Sequence, residues 1–302
     1  MAIVAVPGGT GNVGRAIVDA IVATGKHQVK ILSRKVPTLP NMSVSDQQWE
    51  KLTINQANAS LEVEIGVPII PVDFSNVDAI VKVLEEHHID TVVSAIAMHT
   101  MGDDAPNELE LIRAADRSRV TKRIISSEWG TDVQEQYVTS PKNNLQIHLH
   151  ITDTLSLSQI GLISSTLHKV NAKKELEKTT TLEYTRFHNG YFSDYWAFPK
   201  VPSYLSRQPL VYWIDMKNNA AAIPGTGDVP AVFTHTTDLA KFVAASLDLP
   251  KWEPDYFVYG DRLTWNEFVR LAEEAKGMLP FLPTYLLTYL PTCLTTLLAS
   301  RY

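Results

Sequence analysis

The sequence predicts an α/β fold, a doubly wound parallel sheet followed by a smaller C-terminal lobe. Three observations carry this. The chain opens on a short apolar, β-branched run, Ala2-Ile3-Val4-Ala5-Val6, as a strand buried on both faces requires. A glycine loop follows, spaced Gly8-x-x-Gly11-x-x-Gly14, and Val13, Ile17 and Ile21 then recur on one helical face. Beyond it, short apolar runs and amphipathic stretches keep alternating to about residue 130, the pattern of strands joined by crossover helices.

The first unit reads as strand, glycine loop and helix, the Rossmann-type arrangement for a dinucleotide. A tight turn off a strand end favours a residue that tolerates positive φ. A pyrophosphate approaches the backbone only where no Cβ intervenes, and the free N–H groups of the next helix then hold the anion. Gly8, Gly9, Thr10, Gly11, Asn12, Val13 and Gly14 are therefore the candidate pyrophosphate loop. The second strand, His27 to Ser33, ends in Arg34-Lys35. An NAD site usually carries an acid here for the ribose 2′-hydroxyl, whereas two cations suit a 2′-phosphate. The expected cofactor is NADP(H), with Arg34 and Lys35 on its phosphate.

Pro37 to Asn58 is polar and proline-broken, and reads as a long loop. Val63 to Val72 reads as a strand region, ending at Asp73, which either flanks an adenine or serves as a helix N-cap or turn residue. Val77 to His88 is an amphipathic helix with Val77, Ile80, Val81 and Leu84 on one face. Asp90 to Ala97 is a buried fourth strand whose end, Ser94-Ala95, should border the nicotinamide, with His99 beyond it as a substrate-contact candidate. Asn107 to Arg119 reads as a helix with Leu109, Ile112 and Ala115 inward. Lys122 to Gly130 reads as a fifth strand running into a loop.

With 302 residues the chain can bury a large core. The net charge of −6, without a basic tract, argues against direct nucleic-acid binding. Cys293 is the single cysteine, so an intrachain disulfide and a cysteine metal cluster are excluded. The opening apolar run lacks a charged flank and is too short for a signal peptide, which predicts a cytoplasmic setting. His148 and His150 share one side of an extended segment, with His168 later, but a metal would need a third ligand brought near, and no metal is expected. Met278 to Ser300 is strongly apolar, yet Pro280, Pro283 and Pro291 interrupt it. It reads as two short helices on the C-terminal lobe, with a membrane-surface contact as the alternative.

The strand block Lys122-Arg123-Ile124-Ile125-Ser126-Ser127-Glu128-Trp129-Gly130 resembles the Lys-Arg-Phe-x-Pro-Ser-Glu-(Phe/Trp)-Gly signature of the NmrA-like and isoflavone-reductase-like family, with Ser126 where proline is usual. Asn189-Gly190-Tyr191-Phe192 resembles that family's Asn-Gly-Phe-Phe segment. Gly225-Thr226-Gly227, Phe233-Thr234 and Asp238-Leu239-Ala240 resemble its return to the cofactor domain, and Arg262 to Phe268 its late helix start. The resemblance spans Val4 to about Gly277. It implies an atypical short-chain reductase, similar to fungal members of secondary-metabolite pathways. It divides the chain into a Rossmann domain over residues 1–180, with a return near 225–245, and a substrate lobe and apolar tail over 181–302. Ser127, Glu128, Asn189 and Tyr191 become candidate substrate contacts.

No tyrosine here has a lysine four residues on, so the usual short-chain-dehydrogenase acid–base pair is missing. The isoflavone-reductase-like enzymes instead place a lysine on a later helix. Lys169-Val170-Asn171-Ala172-Lys173-Lys174-Glu175-Leu176-Glu177 can be laid on that pattern, and the resemblance makes Lys169 the catalytic candidate. The bland alternative is a solvated lysine beside Lys173, Lys174 and Lys178. Ile147 to Leu167 reads unlike the helix-forming linker expected. The expected function is an NADPH-dependent reductase of a small metabolite, its ring-bearing character suggested by the aromatics of Tyr184 to Trp213. The rival is an NmrA-like regulator that binds dinucleotide without turnover and acts through a protein partner; a pathway accessory protein with a disabled site is a third reading, and a homodimer is compatible with each.

Overall fold

The computed structural model describes residues 1–34, 60–97, 108–131, 162–197, 200–205, 214–277 and 285–286. Strand β1 (Ile3–Pro7) passes through the glycine loop into helix α1 (Asn12–Thr24), then β2 (Gln28–Arg34) and β3 (Ile69–Val72). Helix α2 (Val77–Glu86), strand β4 (Thr91–Val93), helix α3 (Glu108–Arg117) and strand β5 (Arg123–Gly130) follow. Helix α4 (Leu162–Leu176) leads to β6 (Glu183–His188), β7 (Tyr191–Phe192) and the single turn α5 (Asp194–Ala197). Strands β8 (Ile214–Asp215), β9 (Ala220–Ala221), β10 (Ile223–Pro224) and β11 (Pro230–Thr234) precede α6 (Thr236–Ser246). The chain then forms β12 (Asp255–Phe257), β13 (Asp261–Thr264) and α7 (Trp265–Lys276).

The main sheet runs β12-β6-β5-β4-β1-β2-β3 with its pairs parallel. The chain winds outward from β1 to β3, then crosses back to β4 and winds the other way. That reversal between β1 and β4 opens a crevice at the carboxyl ends of the strands, where ligands of such sheets bind. The expected division at residue 180 does not coincide with the sheet: β6 and β12 lie beyond it and extend the same seven strands. The smaller lobe holds the three-stranded sheet β13-β11-β7.

Both faces of the main sheet are covered, which is why its strands read as continuous apolar runs. On one face, Ile17 and Ile21 of α1 and Leu239 and Val243 of α6 close over Val4, Val6 and Ile31. On the other, Ile80, Leu84, Leu111, Ile112, Ala172 and Leu176 close over Ala5, Leu32, Val92 and Ile124. A third cluster, Trp196, Ile214, Ile223, Phe233 and Trp265, forms the core of the smaller lobe. Truncating Leu84 or Ile112, both fully buried, to alanine costs about 2–5 kcal/mol by the usual cavity cost.

Four local expectations are corrected. Residues 60–65 are helical, although Leu61, Val63 and Ile65 alternate like a strand. Leu61 and Ile65 are also one helical turn apart and pack on the first core, while Val63 stays 86% exposed. In α3 the inward stripe is Glu108, Leu111, Ile112 and Ala115, with Leu109 only half-buried. The fourth strand keeps ladder geometry only over Thr91–Val93; Ser94 and Ala95 still donate backbone hydrogen bonds to Ile125 and Pro7 as the chain leaves the sheet. The helix α4 already begins at Leu162. Its first residues are poor helix formers, and the packing of Val170, Ala172 and Leu176 sustains it instead. The apolar tail, apart from residues 285–286, and the 132–161 stretch with His148 and His150 lie outside the described residues. Among those described, no helix is long and apolar enough to cross a membrane.

Candidate active site

The glycine loop sits at the carboxyl end of β1. Gly8 has φ +77°, and a Cβ there would stand 2.5 Å from the Ala95 carbonyl oxygen, so glycine lets the loop lie against the end of β4. Gly14, in the first turn of α1, is packed against the loop itself; a Cβ would collide with the Gly8 carbonyl and come within 2.9 Å of Gly9 Cα. Gly9 is buried, Thr10, Gly11 and Asn12 are exposed, and Val13 is half-buried. Gly11 caps α1 without a side-chain hydrogen bond, and the first turn carries no acid. The positive end of that helix therefore carries no cap from its own N-cap side chain, which suits anion binding. These features fit a dinucleotide pyrophosphate.

Arg34 ends β2 as an exposed residue, paired in register with Val72 of β3. It stands at the carboxyl end of β2, where an adenosine ribose lies in this fold, and its exposed cation fits a 2′-phosphate. Lys35 and His99 lie outside the described residues. Asp73 is an exposed turn residue: its Oδ1 accepts from Ser75 N (3.0 Å) and Ser75 Oγ (2.6 Å), while Asn76 caps α2 through Ala79 N. Its geometry matches the turn alternative.

A second set of residues meets above the aliphatic core on the α3–α4 face. Lys169 falls on the inward stripe of α4, three and seven residues before the buried Ala172 and Leu176. Its side chain is 17% exposed, unlike Lys174 and Lys178, which are exposed. The ammonium donates to the Glu128 carbonyl oxygen at 2.5 Å and lies 3.8 Å from that residue's carboxylate. Burial pushes the Lys169 amine below its ordinary value, while Glu128 and Glu108 pull the other way. Desolvation is the largest of these effects, so the net displacement is downward.

Glu108 lies beneath it. This carboxyl is 1% exposed and accepts from Ser126 Oγ (2.9 Å) and Ser127 N (2.7 Å). Burial raises it above the usual carboxylate range, against the hydrogen bonds from Ser127 and Ser126 and the charge of Lys169. Sequence reasoning missed Glu108. The available signal was an acid at the phase of Leu111, Ile112 and Ala115 in the α3 stripe. It also missed Arg186, whose side chain is 5% exposed and whose guanidinium lies 2.6 Å from Asp255 and 4.0 Å from Glu128. His188 joins the same Asp255 oxygen at 2.7 Å.

The four expected substrate contacts that fall among the described residues separate. Glu128 is buried between Lys169 and Arg186. The Ser127 hydroxyl donates to the Ile96 carbonyl (2.9 Å) and braces β5 against the end of β4. Asn189 is fully buried where β6 ends; its N–H donates to Gly130, its carbonyl accepts from Thr234 Oγ1, and its Oδ1 has no partner among the described residues. Tyr191 is half-buried in the aromatic cluster, its ring 5.2 Å from Trp265 and 5.9 Å from Phe233. Much of the aromatic content expected at a substrate is thus spent on packing: Phe187 and Phe192 join the first core, Trp196 the third. A cleft of about 350 Å³ lined by Met1, His27, Asp90, Lys122 and Asp248 opens at the opposite, N-terminal edge of the strands, away from all of these groups.

The NmrA-like family profile matches residues 2–154. Oxidoreductase BOA1 of Botryotinia fuckeliana is 35% identical over 274 residues, covering 91% of this chain and 76% of that protein. Among solved structures, AtPrR2 with NADP+ and (+)pinoresinol aligns with a TM-score of 0.60 at 22% identity, over 94% of this chain and 78% of that one. The leucoanthocyanidin reductase–NADPH binary complex from Vitis vinifera aligns with a TM-score of 0.59 at 19% identity, over 94% and 78%. The last two share the fold.

Proposed function

The chain belongs to the NmrA-like family, and from that premise we propose that it is an NADPH-dependent reductase of a small organic metabolite in a secondary-metabolite pathway. The observation that carries the reading is Lys169, a buried amine held by Glu128 at the end of the strand next to the β1–β4 crevice. The oxidoreductase name of the 35% identical relative supports the reaction class, and the solved reductases with NADP+ and NADPH support the cofactor.

The residues present fit that cofactor. The loop from Gly8 to Gly14 would hold its pyrophosphate, Arg34 its 2′-phosphate, and Ser94 and Ala95 would border its nicotinamide. When bound, NADPH supplies the hydride for a C=C, C=O or C=N bond. Lys169 handles the accompanying proton: as a neutral amine it relays one, and as an ammonium it stabilises negative charge developing on the substrate oxygen. Glu128 holds the lysine in place. The Asn189 amide, buried and with Oδ1 unpartnered among the described residues, is a candidate hydrogen-bond partner for ligand, with Tyr191 beside it; Ser127 keeps the floor of the site aligned.

Calorimetric titration with NADPH, NADP+, NADH and NAD+ tests the cofactor assignment. The expected result is preference for the phosphorylated pair, reduced about tenfold on Arg34→Ala, near 1.4 kcal/mol. A panel of enones, imines and aryl carbonyls then tests turnover, with Lys169→Met losing at least about 100-fold in kcat and no cofactor affinity. Tight NADPH binding with no turnover across that panel would instead support a dinucleotide sensor acting through a protein partner. No binding to any of the four would overturn the reductase.

A further inference from the structure

Five side chains from four elements form a row along the α4 side of the sheet, the first four alternating in charge. Lys169 on α4 faces Glu128 on β5 at 3.8 Å, and Glu128 faces Arg186 on β6 at 4.0 Å. Arg186 binds Asp255 on β12 at 2.6 Å, and Asp255 takes His188 at 2.7 Å. The His188 ring stacks on Phe257, with centroids 4.8 Å apart. Register places these groups together: Ser126, two residues before Glu128, pairs with Arg186, and Arg186 pairs with Asp255.

We propose that Arg186 is a positioning residue for Lys169: anchored by Asp255, it shares the Glu128 carboxylate with the lysine and fixes where the ammonium stands. The proposal rests on the reading of Lys169 as the proton-handling group. Burying a carboxylate to 1% exposure is costly unless cations compensate, and Lys169 lies near one Glu128 oxygen and Arg186 near the other. Lys169 is tied to both the carbonyl and the carboxylate of residue 128, so displacement of the Glu128 side chain moves the ammonium. The packing beside it is close, since a Cβ on Gly130 would lie 3.2 Å from Nζ.

Arg186 also settles how much of the Glu128 charge the lysine sees. The other groups facing Lys169 are Glu108 from α3 and, behind Arg186, Asp255 and His188; His168 and Lys173 are its neighbours on α4. Without Arg186, Glu128 still faces Lys169 at 3.8 Å but no longer shares its charge with the guanidinium. The undivided carboxylate then favours the charged amine and opposes the effect of burial.

The test reads Lys169 directly and needs no substrate. The full chain is pulse-acetylated with acetic anhydride from about pH 6 to 11, and acetylation at Lys169 is followed by mass spectrometry. The expected result is an upward shift of about one pH unit in Arg186→Met and in Arg186→Gln, with Arg186→Lys restoring the wild-type curve. Arg186→Gln keeps a polar group toward Asp255 and serves where the methionine variant fails to fold. An unchanged or downward-shifted curve in the folded neutral variant, or no rescue by lysine, overturns the proposal. Turnover separates this from the parent reading. If Lys169→Met keeps full turnover while the curve depends on Arg186, the catalytic assignment fails and the positioning stands. If Lys169→Met is inactive while the curve ignores Arg186, the positioning alone fails.

Discussion

The two halves of the candidate site are built from different materials. The loop from Gly8 to Gly14 is made of backbone: its working parts are N–H groups, a helix end and the space left by missing Cβ atoms. The charged layer around Lys169 is made of side chains from α3, α4, β5, β6 and β12, with residues 108, 128, 169, 186 and 255 brought together only by the sheet. The first is local in sequence and tolerates almost no added volume. The second is dispersed, and its tolerance depends on charge balance.

Gly14→Ala should give the largest effect. The added Cβ meets the Gly8 carbonyl and Gly9 Cα, backbone atoms that cannot turn aside. Overpacking of this kind costs about 1–3 kcal/mol. Because the strain falls on the loop, NADPH affinity should drop with stability, by at least about tenfold. Thermal unfolding and calorimetry check both. A stable variant that loses affinity alone would mean that the loop yields without disturbing α1.

The same contrast explains what the sequence could and could not reveal. Glycine spacing, the apolar β1 run and the α1 stripe lie within two dozen residues, so the fold and the strand–loop–helix unit were legible. Lys169 was legible only as a resemblance, because Lys173, Lys174 and Lys178 share its composition. Its burial follows from phase with Ala172 and Leu176. Glu108 was overlooked although its phase with Leu111, Ile112 and Ala115 marked it as inward, and nothing local to Arg186 announces that Asp255 will meet it. The 60–65 helix was misread because alternation over five residues fits both periods, and tertiary packing of Leu61 and Ile65 decides between them.

Glu108→Gln probes the charged layer and should act through pH. A carboxyl raised by burial contributes fully below its unfolded value of about 4.3, and its contribution is lost as pH rises through the higher folded value. The amide keeps an acceptor for Ser127 N and does not ionise. The variant should match wild type near pH 4 and be more stable at neutral pH, as read by thermal unfolding across pH. Equal stability at both would mean that the serine hydrogen bonds and Lys169 already offset the buried charge.

Asp73→Ala should give the smallest effect, and it decides between two roles at the end of β3. If the side chain serves the turn, as its bonds to Ser75 N and Oγ indicate, its removal costs about 0.5 kcal/mol, the range of exposed substitutions. NADPH affinity should then change by less than about threefold. Asn76 continues to cap α2 through Ala79 N, which limits the damage to the turn itself. An affinity loss near tenfold with unchanged stability would return Asp73 to the adenine site. The backbone-built half would then carry a side chain toward the cofactor at β3 as well as at Arg34.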